Sequence, residues 1–200
     1  MDPQQLHELR QELSRINQLP RDEQEEAVED LRQQYNHTVE LAELGPDDVA
    51  DDFPAFAHCF DLHKNPIILK NKEKIFSNHG FRNDGRYKWG WSWRSFYPVA
   101  YHFMKKVAEK DIQENDVVAY LAELTDDIRE MTVIHMGKIR MGKIISKWGR
   151  GQAGSSTNIW CHDALHVPDT YENKAEGISV AYFRPNRKEI TDYFLRGCRE

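Results

Sequence analysis

Cysteine is scarce in this sequence, and long apolar runs and targeting signals are missing from it. The three cysteines, Cys59, Cys161 and Cys198, are few and odd in number, which argues against a disulfide framework. No apolar run approaches the roughly 18 residues that a membrane-spanning helix needs. The first residues, MDPQQLHELRQE, lack the basic and apolar regions of a signal peptide. We therefore expect a soluble, cytoplasmic protein that makes no membrane contact.

The motifs that identify common enzyme classes are also missing. The sequence contains no Walker loop, serine nucleophile elbow, kinase signature or zinc-finger spacing. Residues 149–154 fit the pattern GxGxxG, but a dinucleotide fold needs a strand before this pattern and a helix after it. The preceding segment has the pattern of a helix instead. We therefore predict no bound cofactor and no metal.

Charge is strongly segregated along the chain. Residues 1–61 contain 16 acidic and 4 basic residues, whereas residues 62–110 contain 11 basic and 3 acidic ones. Residues 131–161 contain five basic residues and no acidic residue. Such asymmetry is expected when one surface meets an anionic partner, although a folded chain can also pair its own charges. We predict an acidic helical appendage at 1–61 and a mixed α+β domain with basic surfaces at 62–200.

The fold predicted from these patterns is α+β, mainly helical, with a small antiparallel sheet and an N-terminal helical hairpin. Leu6, Leu9, Leu13 and Ile16 have helical spacing, and a second helix follows Pro20. These helices pack as a hairpin or, alternatively, make a homo-oligomer through residues 3–43.

Three further segments have recognisable patterns. Apolar residues between 115 and 148 follow a helical stripe, with Gly137 and Gly142 as weak points. Asp84-Gly85 is a favoured hairpin turn, so residues 73–82 and 86–93 are predicted to pair as strands. The chain closes with a predicted strand, ISVAYF, and a helix capped by Asn186.

The stretch KWGWSW, residues 88–93, places three tryptophans on one face of a predicted strand. Such a face is either buried core or a platform on which nucleic-acid bases stack. Arg86, Lys88 and Arg94 are threaded between the rings and are candidates for phosphate contact in both cases.

A second set of basic residues follows in the predicted helix and the loop after it. These candidates are Arg140, Lys143, Lys147 and Arg150. Together with the first set they favour a protein that binds RNA, single-stranded DNA or a nucleotide. The alternative is a solvated helix face that pairs with acidic segments.

The densest cluster of reactive side chains is the sequence WCHDALH at 160–166. His162 or His166 can serve as a general base, with Asp163 fixing its tautomer, which suggests a hydrolase or transferase acting on a nucleotide or phosphodiester. Cys161 and the same three residues could instead ligate zinc, although the usual paired spacing is missing. A polar loop without chemistry is the simplest alternative. A third function class is a structural protein that self-associates through its N-terminal helices.

Overall fold

A seven-stranded antiparallel sheet forms the centre of the protein. The computed structural model describes residues 1–43, 53, 55–78, 99–121, 133–148, 158–171 and 177–196. The sheet order is β1-β6-β5-β4-β3-β7-β2, and every neighbouring pair is antiparallel. The strands are β1 (Glu40–Leu41), β2 (Met104–Val107), β3 (Val117–Leu121), β4 (Val133–Arg140), β5 (Lys143–Lys147), β6 (Ile159–His162) and β7 (Ser179–Pro185).

Helices cover both faces of this sheet. Asp2 caps the first helix in a capping box with Gln5, which satisfies backbone N–H groups at the helix start. Residues 99–103 are also helical. The α-helices with both ends described are α1 (Pro3–Ile16), α2 (Arg21–Arg32), α3 (Ala55–Cys59), α4 (Pro66–Asn78) and α5 (Arg187–Arg196).

The prediction of a mainly helical protein with a small sheet is wrong. The segment 115–148, predicted as one long helix, contributes β3, β4 and β5. All five residues of β3 are buried, so this strand shows no alternation of apolar and polar residues. Strands covered on both faces have continuous apolar sequences. Periodicity alone cannot distinguish such a run from a buried helix.

The weak point of the predicted helix at Gly142 is a hairpin turn. Met141 and Gly142 have φ angles of 53° and 76° and connect β4 to β5. A two-residue turn with both φ angles positive matches the right-handed twist of the strands that it joins. The same turn places Arg140 directly opposite Lys143.

Other predicted segments have mixed outcomes. Residues 73–78 lie in α4, so the predicted strand pair 73–82 and 86–93 is wrong over this part. The remainder, with KWGWSW, lies outside the described residues. The closing strand is confirmed as β7, and the backbone N–H of Glu189 donates to Asn186 Oδ1 at 3.3 Å at the start of α5.

Alternate residues of each strand belong to different cores. Val118 and Tyr120 face α1 and α2, in a core that also contains Trp148 and Trp160. The neighbouring residues Val117, Ala119 and Leu121 face α3, α4 and α5. We call the first the hairpin face of the sheet, and the second the opposite face.

The predicted boundary at residue 61 runs through both cores. Leu9, Leu13 and Ile16 of α1 are buried against the hairpin face. The Asp61 carboxylate accepts hydrogen bonds from Lys138 Nζ and Arg187 Nη1, each at 2.8 Å. Residues 1–61 therefore contribute α1 and α2 on the hairpin face, the edge strand β1, and α3 on the opposite face. Because the apolar seam is buried within the chain, association through residues 3–43 would have to use the polar faces of these helices.

Candidate functional site at the end of strand β6

The three predicted catalytic side chains do not converge. His162 is the last residue of β6 and lies on the hairpin face, where it is 0% exposed. Asp163 and His166 follow the strand and are half-buried. Two separate hydroxyl–imidazole pairs result, which we call the inner pair (Ser146 and His162) and the outer pair (Thr38 and His166).

In the inner pair, the hydrogen bonds fix the tautomer of the imidazole. His162 Nδ1 lies 2.9 Å from the backbone oxygen of Asp163, which can only accept, so Nδ1 carries the hydrogen. The other nitrogen, Nε2, then accepts from Ser146 Oγ at 2.7 Å. Burial lowers the pKa of His162 to about 4. The inner pair is therefore neutral and fully hydrogen-bonded at neutral pH.

In the outer pair, the tautomer is reversed. The backbone N–H of Thr38 donates to His166 Nδ1 at 3.2 Å, so this nitrogen is an acceptor and Nε2 carries the hydrogen. Thr38 Oγ lies 2.9 Å from the same Nδ1 and accepts from the backbone N–H of Asp163 at 3.1 Å. Burial lowers the pKa of His166, which favours the neutral ring. The Thr38 hydroxyl hydrogen thus has two acceptors within reach, His166 Nδ1 and the Asp163 carboxylate, whose pKa a hydrogen bond with Thr38 helps to lower.

An ion pair borders the outer pair. Lys143 Nζ lies 2.7 Å from Asp163 Oδ1, and the two side chains are 37% and 45% exposed. Burial by itself raises the pKa of Asp163. The hydrogen bonds from Lys143 and Thr38, together with the charges of Lys143 and His166, outweigh burial, and the net pKa lies below the ordinary value. We call Thr38, Lys143, Asp163 and His166 the outer cluster.

The segment that carries the outer cluster is tied to the fold from several sides. Tyr120 on β3 donates its hydroxyl to the backbone oxygen of Ala164 at 3.1 Å. Arg10 on α1 donates from Nε to the backbone oxygen of Val167 at 3.2 Å, and Ser14 hydrogen-bonds Asp169. The N-terminal hairpin therefore holds residues 163–169 in place, in addition to covering the sheet.

Strand β1 brings Thr38 to this position. Glu40 and Leu41 pair with Cys161 and Trp160, so the residues just before β1 lie beside the end of β6. Cys161 is half-buried, and its pKa is raised by burial and by Glu40. Its thiol is therefore protonated at neutral pH.

The zinc alternative finds no support in the described part of the chain. Both nitrogens of His162 make hydrogen bonds within the protein. Cys59, which has His58 and His63 near it in the sequence, is buried, and burial raises its pKa to about 12. Over the described residues, no three or more histidine, cysteine and acidic side chains form a group that could hold a metal ion.

The predicted basic helix face does not exist, because its residues lie on β4 and β5. Arg140 and Lys143 are opposite each other near the hairpin turn. Lys147 is at the other end of β5, is 7% exposed, and donates to the backbone oxygen of Phe53 at 3.0 Å. The remaining basic candidates, Arg86, Lys88, Arg94 and Arg150, lie outside the described residues.

Comparisons with protein-family models, with curated proteins and with solved structures found no match to this chain. Within the described residues, no helix is long and apolar enough to span a membrane.

Proposed function

We propose that the outer cluster binds a phosphate-bearing ligand of the nucleotide or nucleic-acid class, RNA or single-stranded DNA included. The observation that carries this proposal is the position of Lys143. Its ammonium group pairs with Asp163, three residues before His166, and part of its side chain remains exposed. Arg140 lies directly across the hairpin from it. Cross-strand partners have their side chains on the same face of a sheet, so Arg140 places a second cation next to Lys143 of the outer cluster.

The ion pair with Asp163 leaves Lys143 available to a ligand. Pairs between partly exposed charges contribute little to stability, typically less than about 1 kcal/mol. A phosphate oxygen can therefore replace the Asp163 carboxylate at small cost. Lysine and arginine are the residues that most often neutralise phosphates.

Replacing Lys143 tests this proposal. Lys143→Glu places a second acid beside Asp163 and should weaken binding of a labelled single-stranded oligonucleotide and of ATP. For the oligonucleotide, the salt dependence of binding should fall by about one counterion, because one phosphate contact is lost.

The matched control is Lys188→Glu. Lys188 is exposed on α5 and pairs with Asp192. This helix follows β7, which three strands separate from β6 in the sheet. Equal affinity of the folded Lys143→Glu protein and the Lys188→Glu control would contradict the proposal.

The outer pair favours a second candidate function, a hydrolase or transferase acting on a nucleotide or phosphodiester. A hydroxyl that is hydrogen-bonded at 2.9 Å to a neutral imidazole is in the arrangement that activates a nucleophile or a water molecule. In this function His166 is the general base, and the Asp163 backbone orients the hydroxyl. Turnover of a phosphodiester should fall by at least about 100-fold in His166→Gln, since general bases contribute roughly that factor. Unchanged turnover in this variant would exclude the assignment of His166.

A further inference from the structure

We propose that Thr38 is a nucleophile whose hydroxyl forms a covalent ester with a phosphorus electrophile, with His166 as the base. The inference rests on the second proposed function, that of a hydrolase or transferase, and names Thr38 as the residue that supplies the attacking oxygen.

The hydrogen bonds of Thr38 define the direction in which its hydroxyl can react. Its oxygen accepts from the Asp163 backbone N–H at 3.1 Å and lies 2.9 Å from His166 Nδ1, which can accept its hydrogen. One lone pair of the oxygen remains for attack. A weak nucleophile next to an oriented base is the common feature of hydroxyl-based covalent catalysis.

The electrostatic surroundings suit an attack on phosphorus. Burial lowers the pKa of His166, the charge of Asp163 raises it and that of Lys143 lowers it. The net pKa lies below the ordinary value, which favours an unprotonated ring that can accept the hydroxyl hydrogen. Lys143 is also ion-paired with the side chain of Asp163, whose backbone N–H donates to Thr38. A positive charge in this place stabilises the negative charge that develops on phosphoryl oxygens.

The chemical step balances without a further reactant. The Thr38 Oγ–P bond forms, the bond from phosphorus to the leaving oxygen breaks, and the hydroxyl proton moves to His166 Nδ1. The imidazolium then returns this proton to the leaving oxygen. Water hydrolyses the threonyl ester in a second step, with His166 again acting as base, and Thr38 is restored.

The inner pair provides an internal comparison for this inference. Ser146 and His162 have a hydroxyl–imidazole distance of 2.7 Å, which is shorter than the 2.9 Å of the outer pair. However, Ser146 is 2% exposed and His162 is 0% exposed, so a reagent in solution cannot reach them in the folded protein. Thr38 and His166 are only partly buried.

Labelling with diisopropyl fluorophosphate tests the proposal without knowledge of the substrate. In this reagent the Thr38 Oγ–P bond replaces the P–F bond, and fluoride leaves. We expect one adduct on the native protein, which peptide mass spectrometry locates at Thr38. The labelling rate should fall as the pH is lowered through the pKa of His166, because an imidazolium cannot accept the proton.

Three variants separate the possible outcomes. Thr38→Val should lose the adduct, Thr38→Ser should retain it, and Ser146→Ala should be labelled like the unmodified protein. A folded native protein that gains no adduct at Thr38, or gains it at Ser146, would overturn the inference. The inference and the second proposed function fail separately. Turnover of a phosphodiester that is lost in His166→Gln but kept in Thr38→Val would leave the hydrolase function standing and overturn the role of Thr38 alone.

Discussion

The inner and outer pairs contain the same two functional groups in two different environments. His162 and His166 are four residues apart, and each accepts from a hydroxyl through one ring nitrogen. His162 ends β6 on the hairpin face of the sheet, where it is fully buried, whereas His166 lies beyond the strand end. The two hydrogen bonds therefore differ in burial: that of the inner pair is inaccessible to solvent, whereas that of the outer pair is partly exposed.

The two imidazoles also use opposite nitrogens. Both rings depend on residue 163 for their geometry, since its carbonyl accepts from His162 and its N–H donates to Thr38. A change at one pair therefore alters the position of the other. Experiments that distinguish the pairs have to compare variants of both.

Lowering the pH should have the largest effect on the free energy of unfolding. This effect should come from the buried histidines His162 and His135. Burial lowers the pKa of His162 to about 4 and that of His135, stacked on Tyr171 at 4.0 Å, to about 3. Because both values lie below the ordinary 6.5, the unfolded chain takes up protons first as pH falls. The free energy of unfolding is highest above pH 6.5. Below that pH it should fall by about 1 kcal/mol per pH unit for each of the two histidines.

Urea unfolding at pH 7 and pH 5 measures this drop. His135→Phe keeps a ring against Tyr171 but removes one titrating group, so its loss of stability between the two pH values should be smaller. Other histidines titrate equally in both proteins. The same loss in the variant and the parent would show that His135 is not a buried neutral group.

Replacing the two histidines should separate the pairs by stability. His162→Ala removes a buried ring and leaves Ser146 and the Asp163 carbonyl without partners, which should cost about 3 kcal/mol or more of the free energy of unfolding. His166→Ala removes a half-buried ring and should cost about 1 kcal/mol. Chemical denaturation of both variants at pH 7 gives the two values. A larger cost for His166→Ala would reverse the roles assigned to the two pairs.

A substitution at Gly137 tests how closely β4 packs against β5 next to Ser146 of the inner pair. A Cβ atom at this position would lie 2.5 Å from Ile144 Cγ2 and 3.1 Å from Ser146 Cβ. Gly137→Ala should therefore cost about 1–3 kcal/mol through overpacking. The same change in an Ile144→Ala background should cost less, because the clashing methyl group is gone. Additive costs in thermal or urea unfolding would contradict this close approach.

The smallest effect on stability is expected at the ion pair of the outer cluster. Lys143→Gln should change the free energy of unfolding by less than about 1 kcal/mol, because both charges are partly exposed. Its effect on ligand binding should be larger than its effect on stability. A strongly destabilised Lys143→Gln protein would make the pair a structural feature.

The sequence predicted the terminal parts of the fold better than the middle. The buried stripe Leu9, Leu13 and Ile16 in α1 and the residues Ile190 and Phe194 in α5 have clear helical spacing, because one face of each helix is covered. Strand β3 is buried on both faces and has lost the alternation that identifies a strand. The middle of the chain was therefore predicted as a helix.

The candidate site could be located in the sequence only in part. Asp163 and His166 are close in the chain and were recognisable as a cluster of reactive residues. Thr38 is 125 positions from Asp163, and it reaches the site only because β1 pairs with β6. No local pattern encodes that pairing. The burial of His162 likewise depends on α1 and α2 covering the sheet, which spacing along β6 does not reveal.

Identifying the protonated ring nitrogen of each imidazole tests the roles assigned to the inner and outer pairs most directly. Long-range ¹H–¹⁵N correlation spectra of histidine-labelled protein at pH 7 distinguish the two neutral tautomers and the imidazolium, and His162→Gln and His166→Gln assign the signals. We predict that His162 carries its hydrogen on Nδ1 and that His166 carries it on Nε2. If His166 is protonated on Nδ1 or is an imidazolium, Thr38 has no base, and the central claim is contradicted.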